Sequence, residues 1–512
     1  MERQWWMVAV GAVLMLTLGT FLSGCGSGSK SSTPPPPPPV PAIQNINSST
    51  TPTSPVGLPI EINGSGFQAA PGKVVFTQGS ITATVVPATS AWSDTGIVAV
   101  VPAGNGTTNF TFTTVSVTVV TSGGTSNAVT LNLIATLTFN PSGMAWGTTM
   151  ALPTAMTGLR AAAVPGSTTG TAFAVITGGF DGTANTTRVW SNNLNADGTV
   201  GNATNTTWTT VATSPLPETR AHHAMAEADP TNSLVPSGKA YVYVIGGQKL
   251  NTDAPGGTNT VFMAGVDPTT GAVGTGTTST FPTAWTALTN TLPQALVGIS
   301  ATVHNGFLYV AGGLTMGGLP SAAVYSAPVN NDGTIGAWTT STNPLPTLAT
   351  ASFAEMFVFG GKIYFIDGDP NNSTTPNAQG VGTTNVNYAS ALRGVVGTWT
   401  LNPNLTIHNR AKGILYTAFG QVISGEGIYN GTATAGEFET STINADGTLA
   451  SWTGLTGVHI PSAFVYNAGA FTSPLISPTS GPRFLIFGGQ AFIGTSGPGG
   501  ALSNVVHYNT AP

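Results

Sequence analysis

The amino-acid sequence predicts an all-β protein in which a small sandwich precedes a long repeated region. Charged residues make up 6% of the 512 positions, against about 25% in average soluble domains. Gly, Thr, Ser and Asn take their place, and helix surfaces need the Ala, Leu, Glu and Lys that this chain lacks. Strands favour Thr, Val, Ile and aromatic residues, and turns favour Gly, Asn and Pro. Short apolar runs that end in glycine-rich turns recur along the chain.

Charge and cysteine content exclude several kinds of function. The net charge is −5 and no stretch of the sequence is strongly basic. Nucleic acid is therefore not expected as a partner, because neutralising phosphates requires clustered Lys and Arg. The chain has a single cysteine, which excludes an internal disulfide and any site built on two thiolates.

That cysteine, Cys25, follows a segment typical of an export signal. Arg3 precedes an apolar stretch from Trp5 to Leu22, and Ser23-Gly24 separates this stretch from the cysteine. The pattern resembles the lipobox of bacterial lipoproteins, which implies a signal peptide over residues 1–25, lipid attachment at Cys25 and a membrane partner through that anchor. Gly26 in place of Asp favours the outer membrane or cell surface by the same resemblance. The alternative is an uncleaved membrane anchor with an incidental cysteine, since the stretch is about long enough to span a bilayer.

Two segments follow the signal. Residues 26–40, which are rich in Gly and Ser and contain six consecutive prolines, predict a tether without a core. Residues 41–135 contain short strand candidates at roughly ten-residue spacing, which predicts a small β-sandwich. Ile62 to Phe67, Trp92 to Thr95 and Val101-Pro102 resemble landmarks of the IPT/TIG immunoglobulin-like family. Such modules act as spacers or adhesive units, and the resemblance implies no catalytic residue.

Residues 136–512 repeat with a period of roughly 60 residues. A sheet of four short strands cannot bury both faces alone, so radial stacking into a β-propeller is expected. Six strand candidates end in a small-residue turn, at Gly178-Gly179, Gly246-Gly247, Gly312-Gly313, Asp367-Gly368, Gly425-Glu426 and Gly488-Gly489. Six tryptophans mark a second phase of the repeat, at Trp146, Trp208, Trp285, Trp338, Trp399 and Trp452.

This combination resembles the kelch family and implies a six-bladed kelch-type propeller, with seven blades as the alternative count. The fourth and fifth repeats depart from the pattern, and we interpret both as lacking the second glycine of the pair. Trp146 precedes the first glycine pair, whereas no tryptophan follows the strand candidate Val505 to Tyr508. The segment around 137–152 should therefore provide the outer strand of the last blade and close the ring.

Three scarce arginines are the candidate ligand-binding residues. Arg160, Arg220 and Arg410 each lie between a tryptophan segment and the next glycine pair. In kelch propellers this place corresponds to the point where the first strand enters from one rim of the channel, and loops there commonly form the binding face. The structural alternative is an arginine that hydrogen-bonds to loop carbonyls.

The sequence offers no catalytic residue, metal site or cofactor site that we can assign. A copper site like that of galactose oxidase needs a tyrosine cross-linked to a cysteine, and the one cysteine of this chain, Cys25, lies in the lipobox-like segment. A sialidase needs an arginine triad. His222-His223 should point to opposite faces of a strand start with one face in water, which does not form a zinc site. Glu218, Glu355, Asp367 and Glu426 are expected to be turn or edge residues, although one or two of them would suffice for acid–base chemistry.

Two functions remain. The first is an envelope-anchored recognition or scaffold lipoprotein whose propeller binds a protein or glycan partner, and it is favoured because the sequence shows no concentrated titratable cluster. The second is an exported carbohydrate-active enzyme, such as a mutarotase, an epimerase or a lyase, that uses the propeller channel. Three or more carboxylates or histidines converging at one channel mouth would favour the enzyme.

Overall fold

The computed structural model describes residues 36–49, 52–135, 139–168, 170–209, 211–250, 257–275, 284–347, 351–370, 385–408, 410–429, 432–433, 438–460, 465–466, 468–473, 481–491 and 502–511. Cys25, the apolar stretch before it and residues 26–35 of the predicted tether lie outside the described residues. Within the part of the chain that is described, no helix is long and apolar enough to cross a membrane. Residues 39–512 belong to one compact unit.

The predicted sandwich is present as two facing sheets. Buried and more exposed residues alternate along β7 (Thr114–Thr121) and β4 (Lys73–Gln78), which turns their Val and Phe side chains to a shared core. In the first sheet the order is β1 (Ala42–Ile46), β3 (Pro59–Ser65) and β6 (Gly96–Val100). The second sheet contains β2 (Thr53–Pro55), β9 (Val129–Ile134), β7 (Thr114–Thr121), β4 (Lys73–Gln78) and β5 (Ile81–Val85), with β8 (Gly124–Thr125) on β7.

The repeated region forms antiparallel sheets of three to five strands. The first two are β11 (Arg160–Pro165), β12 (Ala172–Thr177) and β13 (Val189–Leu194), and then β14 (Ala224–Ala228), β15 (Ala240–Ile245), β16 (Val261–Val266) and β17 (Thr286–Ala287). The third is β18 (Ser300–His304), β19 (Phe307–Ala311), β20 (Val324–Pro328) and β21 (Thr339–Thr340).

The fourth sheet comprises β22 (Glu355–Phe359), β23 (Lys362–Ile366), β24 (Val386–Leu392) and β26 (Thr400–Leu401), with β25 (Val395–Val396) also on β24. The fifth comprises β28 (Ile414–Ala418), β29 (Gln421–Gly425), β32 (Phe438–Thr442) and β33 (Thr453–Gly454). The sixth comprises β35 (Gly469–Thr472), β36 (Phe484–Phe487), β38 (Val506–Ala511) and β10 (Ala145–Thr149). Short pairings involve β27 (Arg410–Ala411), β30 (Ile428–Tyr429), β31 (Thr432–Ala433), β34 (Val465–Tyr466) and β37 (Gln490–Ala491), and 3-10 turns cover Thr89–Ala91 and Pro141–Gly143.

These sheets are the blades of a closed ring, and within the described ranges there are six. Each innermost strand contacts the next in the order β11, β14, β18, β22, β28 and β35, and β35 returns to contact β11. Ring closure occurs where the sequence predicts it, because β10 pairs with β38 and places Trp146 opposite Asn509. The six-blade count and the shared N-terminal strand are therefore confirmed.

The glycine pairs occupy one equivalent position in every blade, directly after the second strand. The first member has a positive φ throughout, including 60° at Gly246, 57° at Asp367 and 53° at Glu426. Glu426 thus corresponds to the first glycine, and Gly427 (φ 88°) to the second. Our interpretation that blades four and five lack the second glycine is wrong: both keep it, and an acidic residue replaces the first. A left-handed conformation at a residue with a long side chain is uncommon and strained.

Tryptophan contributes to the contacts between blades, as predicted. Trp285 lies in an apolar cluster with Val164 and Val175 of the first blade. Its indole Nε1 donates a hydrogen bond to the Ser214 carbonyl (3.0 Å) in the connection between the two blades. Trp338 repeats this arrangement one blade later, with a 3.0 Å bond to the Asn290 carbonyl. Trp285 and Trp338 therefore both fill a wedge between blades and satisfy their one polar atom.

Candidate functional site in the propeller channel

A belt of residues surrounds the channel. Five blades each contribute to it the residue that lies two positions before their innermost strand. The amide of His222 donates to the Gly158 carbonyl (2.8 Å), Gly298 to His222 (2.9 Å), Phe353 to Gly298 (2.7 Å) and Lys412 to Phe353 (3.1 Å). All five have a positive φ, between 53° and 64°. The belt therefore joins five successive blades through their backbones at one end of the channel, which we call the upper mouth.

Side chains of the belt fill the upper mouth. The His222 ring meets the Phe353 ring edge to face at 5.5 Å between centroids, and the Lys412 ammonium lies 4.9 Å from the Phe353 ring centre. We call these three side chains the plug, and all are buried. The two belt glycines make room for it: a Cβ at Gly158 would lie 2.8 Å from the His222 ring, and one at Gly298 would lie 2.9 Å from the Phe353 ring.

Burial also sets the charge of the plug. Loss of water around His222 lowers its pKa to about 3, and the charges of Lys412 and Arg160 act in the same direction. The imidazole is therefore neutral at neutral pH. Burial lowers the pKa of Lys412 to about 8, and the Asp369 carboxylate opposes this shift. The plug thus carries a single ammonium that is held in place over an aromatic ring.

A cavity of about 170 Å³ lies directly next to the plug, at the start of the innermost strands. All six innermost strands contribute to its wall, which is mostly Ala, Met, Ile and Leu. Arg160 of the first blade and Glu355 of the fourth are the charged residues among the lining residues that the structure describes. Because the first and fourth of six blades lie opposite each other, a cation and a carboxyl face one another across the channel.

Arg160 and Glu355 influence each other through space. Burial raises the pKa of Glu355 to about 7, and the Arg160 charge limits this rise. The Arg160 guanidinium donates to the Leu159 carbonyl (3.0 Å), and among the described residues it forms no ion pair within 4.0 Å. The pair therefore presents donors on one side of the cavity and a carboxyl near half-protonation on the other.

The raised pKa of Glu355 predicts a pH-dependent stability. Its pKa is about 7 in the folded protein against 4.5 for an unperturbed glutamate, so the folded state binds the proton more tightly. The free energy of unfolding is therefore highest below about pH 4.5, where the carboxyl is protonated in both states. It falls as pH rises through 7, by up to about 3 kcal/mol. Glu355→Gln should remove this dependence, so its stability advantage over the wild type should grow between pH 5 and pH 8 in urea unfolding. An unchanged difference would contradict the assignment.

Arg220 lies away from this cavity. It is fully buried, and its guanidinium donates to Glu218 Oε2 (2.8 Å), Thr260 Oγ1 (2.6 Å) and the Thr219 carbonyl (2.8 Å). It also lies 4.9 Å from the centre of the Phe262 ring. These contacts hold the connection that leads into the second blade.

Arg410 has the same character in the fifth blade. Its Nε donates to Glu439 Oε1 (3.2 Å) and its Nη1 to the Glu426 carbonyl (2.9 Å), and Arg410 and Glu439 are both buried. The structure thus does not bring the three candidate arginines together. Arg160 faces the channel cavity, whereas Arg220 and Arg410 have the hydrogen-bonding role that we weighed as the alternative.

Two expectations from the sequence are wrong. His222 and His223 do point to different partners, but neither faces water: His223 Nε2 lies 2.8 Å from Thr177 Oγ1, and both rings are buried. Glu355 is not a turn or edge residue, because it begins the innermost strand of the fourth blade and faces the cavity. Asp367 and Glu426 do occupy turns, those after the second strands of blades four and five, but both are buried there. Glu218 is the exposed member of the set and pairs with Lys249 as well as Arg220.

Titratable groups therefore converge near the upper mouth. Burial raises the pKa of Asp367 well above its usual value, and the nearby Glu439 and Glu355 charges contribute to this rise while Arg410 opposes it. A sequence signal for this cluster exists in retrospect: an acid replaces glycine at a left-handed position in blades four and five. Within the described residues, no group of three or more His, Cys, Asp or Glu side chains is arranged to hold a metal ion.

Comparison with known proteins gives a structural neighbour only. No family model matches the chain, and no curated protein matches it in sequence. One solved structure that this chain resembles is described as "Structure of YjhT". The match covers 70% of this chain and 96% of that chain, with 13% sequence identity and a TM-score of 0.43. The propeller fold of this chain follows from its own strand pairing and from the contacts between its innermost strands.

Proposed function

We propose that this protein is an exported, envelope-anchored lipoprotein whose propeller channel recognises a small polar ligand of the glycan class. The observation that carries the proposal is that Arg160 and Glu355 line the same cavity, to which all six innermost strands contribute. In sites for small ligands, a few well-placed polar groups fix the orientation of the ligand. A volume of about 170 Å³ is below the roughly 300–1,000 Å³ of sites for drug-sized molecules, so a ligand of monosaccharide size is expected.

The anchoring part of the proposal depends on Cys25 and the lipobox pattern before it. The repeat markers support a kelch-like propeller. On this proposal the lipid anchor at Cys25, the tether and an IPT/TIG-like sandwich carry that propeller outward from the membrane. The test is metabolic labelling with palmitate in a bacterial host. The full-length chain should take up the label, and Cys25→Ser should lose it; equal labelling of both would refute the anchor.

A second function, proton transfer on a bound sugar, is favoured by the state of Glu355. A carboxyl with a pKa of about 7 can act as acid or base at neutral pH. Asp367 and Glu426 lie among the converging groups, which is the arrangement that favours an enzyme over a scaffold. Mutarotation or epimerisation is the simplest such reaction, because one or two acid–base groups suffice. NMR exchange between the anomers of a bound sugar would detect it.

Calorimetric titration of the full-length protein with a monosaccharide panel tests the channel site. Arg160→Met and Glu355→Gln should each weaken binding by about tenfold or more, because a ligand group would lose a charge-assisted hydrogen bond. Arg188→Met is the matched control, since Arg188 pairs with Asp181 on a partly exposed loop (2.9 Å). Binding that survives both channel variants, or that Arg188→Met weakens equally, would reject the channel as the site.

A further inference from the structure

Two carboxylates lie together at the opposite, lower end of the channel. Glu227 is on the innermost strand of the second blade and Asp229 follows that strand directly. The Asp229 charge acts on Glu227, which places the two carboxylates close to each other. Asn232 joins them: its side-chain amide donates to Glu227 Oε1 (2.7 Å), and its Oδ1 accepts from the Asp229 amide (3.0 Å).

One oxygen of each carboxylate accepts a hydrogen bond from the protein. Asp229 Oδ1 accepts from the Thr231 amide and the Thr231 hydroxyl, both at 2.6 Å. The other oxygen of each group, Glu227 Oε2 and Asp229 Oδ2, is buried and has no hydrogen-bond donor. Asp229 is only 1% exposed. A buried carboxylate oxygen without a donor is costly, so two such oxygens in adjacent groups require an explanation.

The surroundings provide no positive charge. Among the described residues, neither carboxylate forms an ion pair with Lys, Arg or His. Burial raises the pKa of both groups, and the Asp229 charge adds to the effect on Glu227. Glu227 and Asn232 also line a cavity of about 200 Å³ that shares Ala161 and Met225 with the cavity beside the plug. The cavity thus borders Glu227, whereas the two free oxygens themselves are buried.

We propose that Glu227 Oε2 and Asp229 Oδ2 bind a hard divalent cation, Ca²⁺ or Mg²⁺, at the lower end of the channel. Both ions prefer carboxylate oxygens, and Mg²⁺ in particular is held by one or two carboxylates while it keeps several waters. The cation would supply the missing positive charge. This site is independent of the channel ligand proposed above.

Thermal unfolding of the full-length protein tests the proposal. The chelator-treated protein should show a Tm that rises with the logarithm of added Ca²⁺ or Mg²⁺ at neutral pH, and separate titrations of the two salts identify the preferred ion. Glu227→Gln and Asp229→Asn keep the oxygens that bond to Asn232 and Thr231 but replace the free oxygen by an amide. Each should weaken binding by about tenfold or more, since even loss of an outer partner costs about 10–100-fold.

The control variant is Asp267→Asn, which alters a turn carboxylate that accepts from the Thr269 amide (2.8 Å) and has no buried free oxygen. It should keep the full cation response. A wild-type Tm that responds to neither ion, or that responds no more than that of Glu227→Gln, overturns the proposal. In that case the two carboxyls share a proton instead, and the stability of the wild type falls more steeply with rising pH than that of Glu227→Gln.

Discussion

Deleting residues 506–512 is expected to abolish cooperative folding of the propeller. These residues contain β38, which pairs with β36 on one side and β10 on the other. Without it the fully buried side chains of Leu485, Ile486 and Phe487 lose their neighbour strand, and the ring is open between its last and first blades. The loss should reach about 5 kcal/mol or more, which is comparable with the entire stability of an ordinary domain.

Urea unfolding followed by tryptophan fluorescence measures this effect. A chain shortened only by residue 512 is the control and should unfold like the wild type, because β38 remains complete. If the chain without 506–512 unfolds in a single transition with an unchanged midpoint, the sixth blade does not depend on β38 and the described closure is incorrect.

Glu439→Ala should be the most damaging single substitution near the upper mouth. Glu439 is buried, and its carboxylate accepts from Arg410 Nε (3.2 Å) and from the Ile407 amide (2.6 Å). Alanine leaves a buried guanidinium and a backbone amide without this acceptor. Removal of one partner of a buried ion pair costs about 3–5 kcal/mol.

Glu439→Gln separates the contribution of charge from that of hydrogen bonding. Glutamine keeps one acceptor oxygen and the shape of the side chain, so it should lose clearly less stability than alanine. Equal losses for the two variants would show that packing rather than the ion pair is what matters. A loss for alanine below about 1 kcal/mol, the range of exposed pairs, would contradict the burial of this pair.

The ring was predictable because its markers repeat. Each blade needs a tight turn after its second strand, and most blades have a tryptophan between neighbours, so the same residue types recur at a regular interval. The closure followed from the order of these markers, with Trp146 before the first glycine pair. The acids at these turns were visible in the sequence as well, but the position that they occupy in the pair was not. Gly425 directly precedes Glu426, so the sequence suggests Gly425-Glu426 as the pair, whereas the pair is Glu426-Gly427.

The plug was not predictable from residue types. The belt positions are occupied by Gly158, His222, Gly298, Phe353 and Lys412, which share a left-handed backbone and a place in the ring but no chemistry. Only the three-dimensional ring brings His222 of the second blade onto Phe353 of the fourth. Arg160 and Glu355 are likewise distant in sequence, and a pair that depends on blades facing each other leaves no local pattern.

The central claim, a six-bladed ring closed by β10, can be tested with one engineered disulfide. Gly147 lies opposite Tyr508 in the pairing of β10 with β38, and opposing Cα atoms in antiparallel strands are about 4.5–5.5 Å apart, within the range that a disulfide spans. Cys25 is the only native cysteine, so Cys25→Ser gives a clean background. The double variant Gly147→Cys/Tyr508→Cys should form the cross-link on mild oxidation, and Gly147→Cys/Tyr325→Cys, with its second cysteine on β20 of the third blade, should not. Failure of the first pair to cross-link in folded protein would contradict the closed ring.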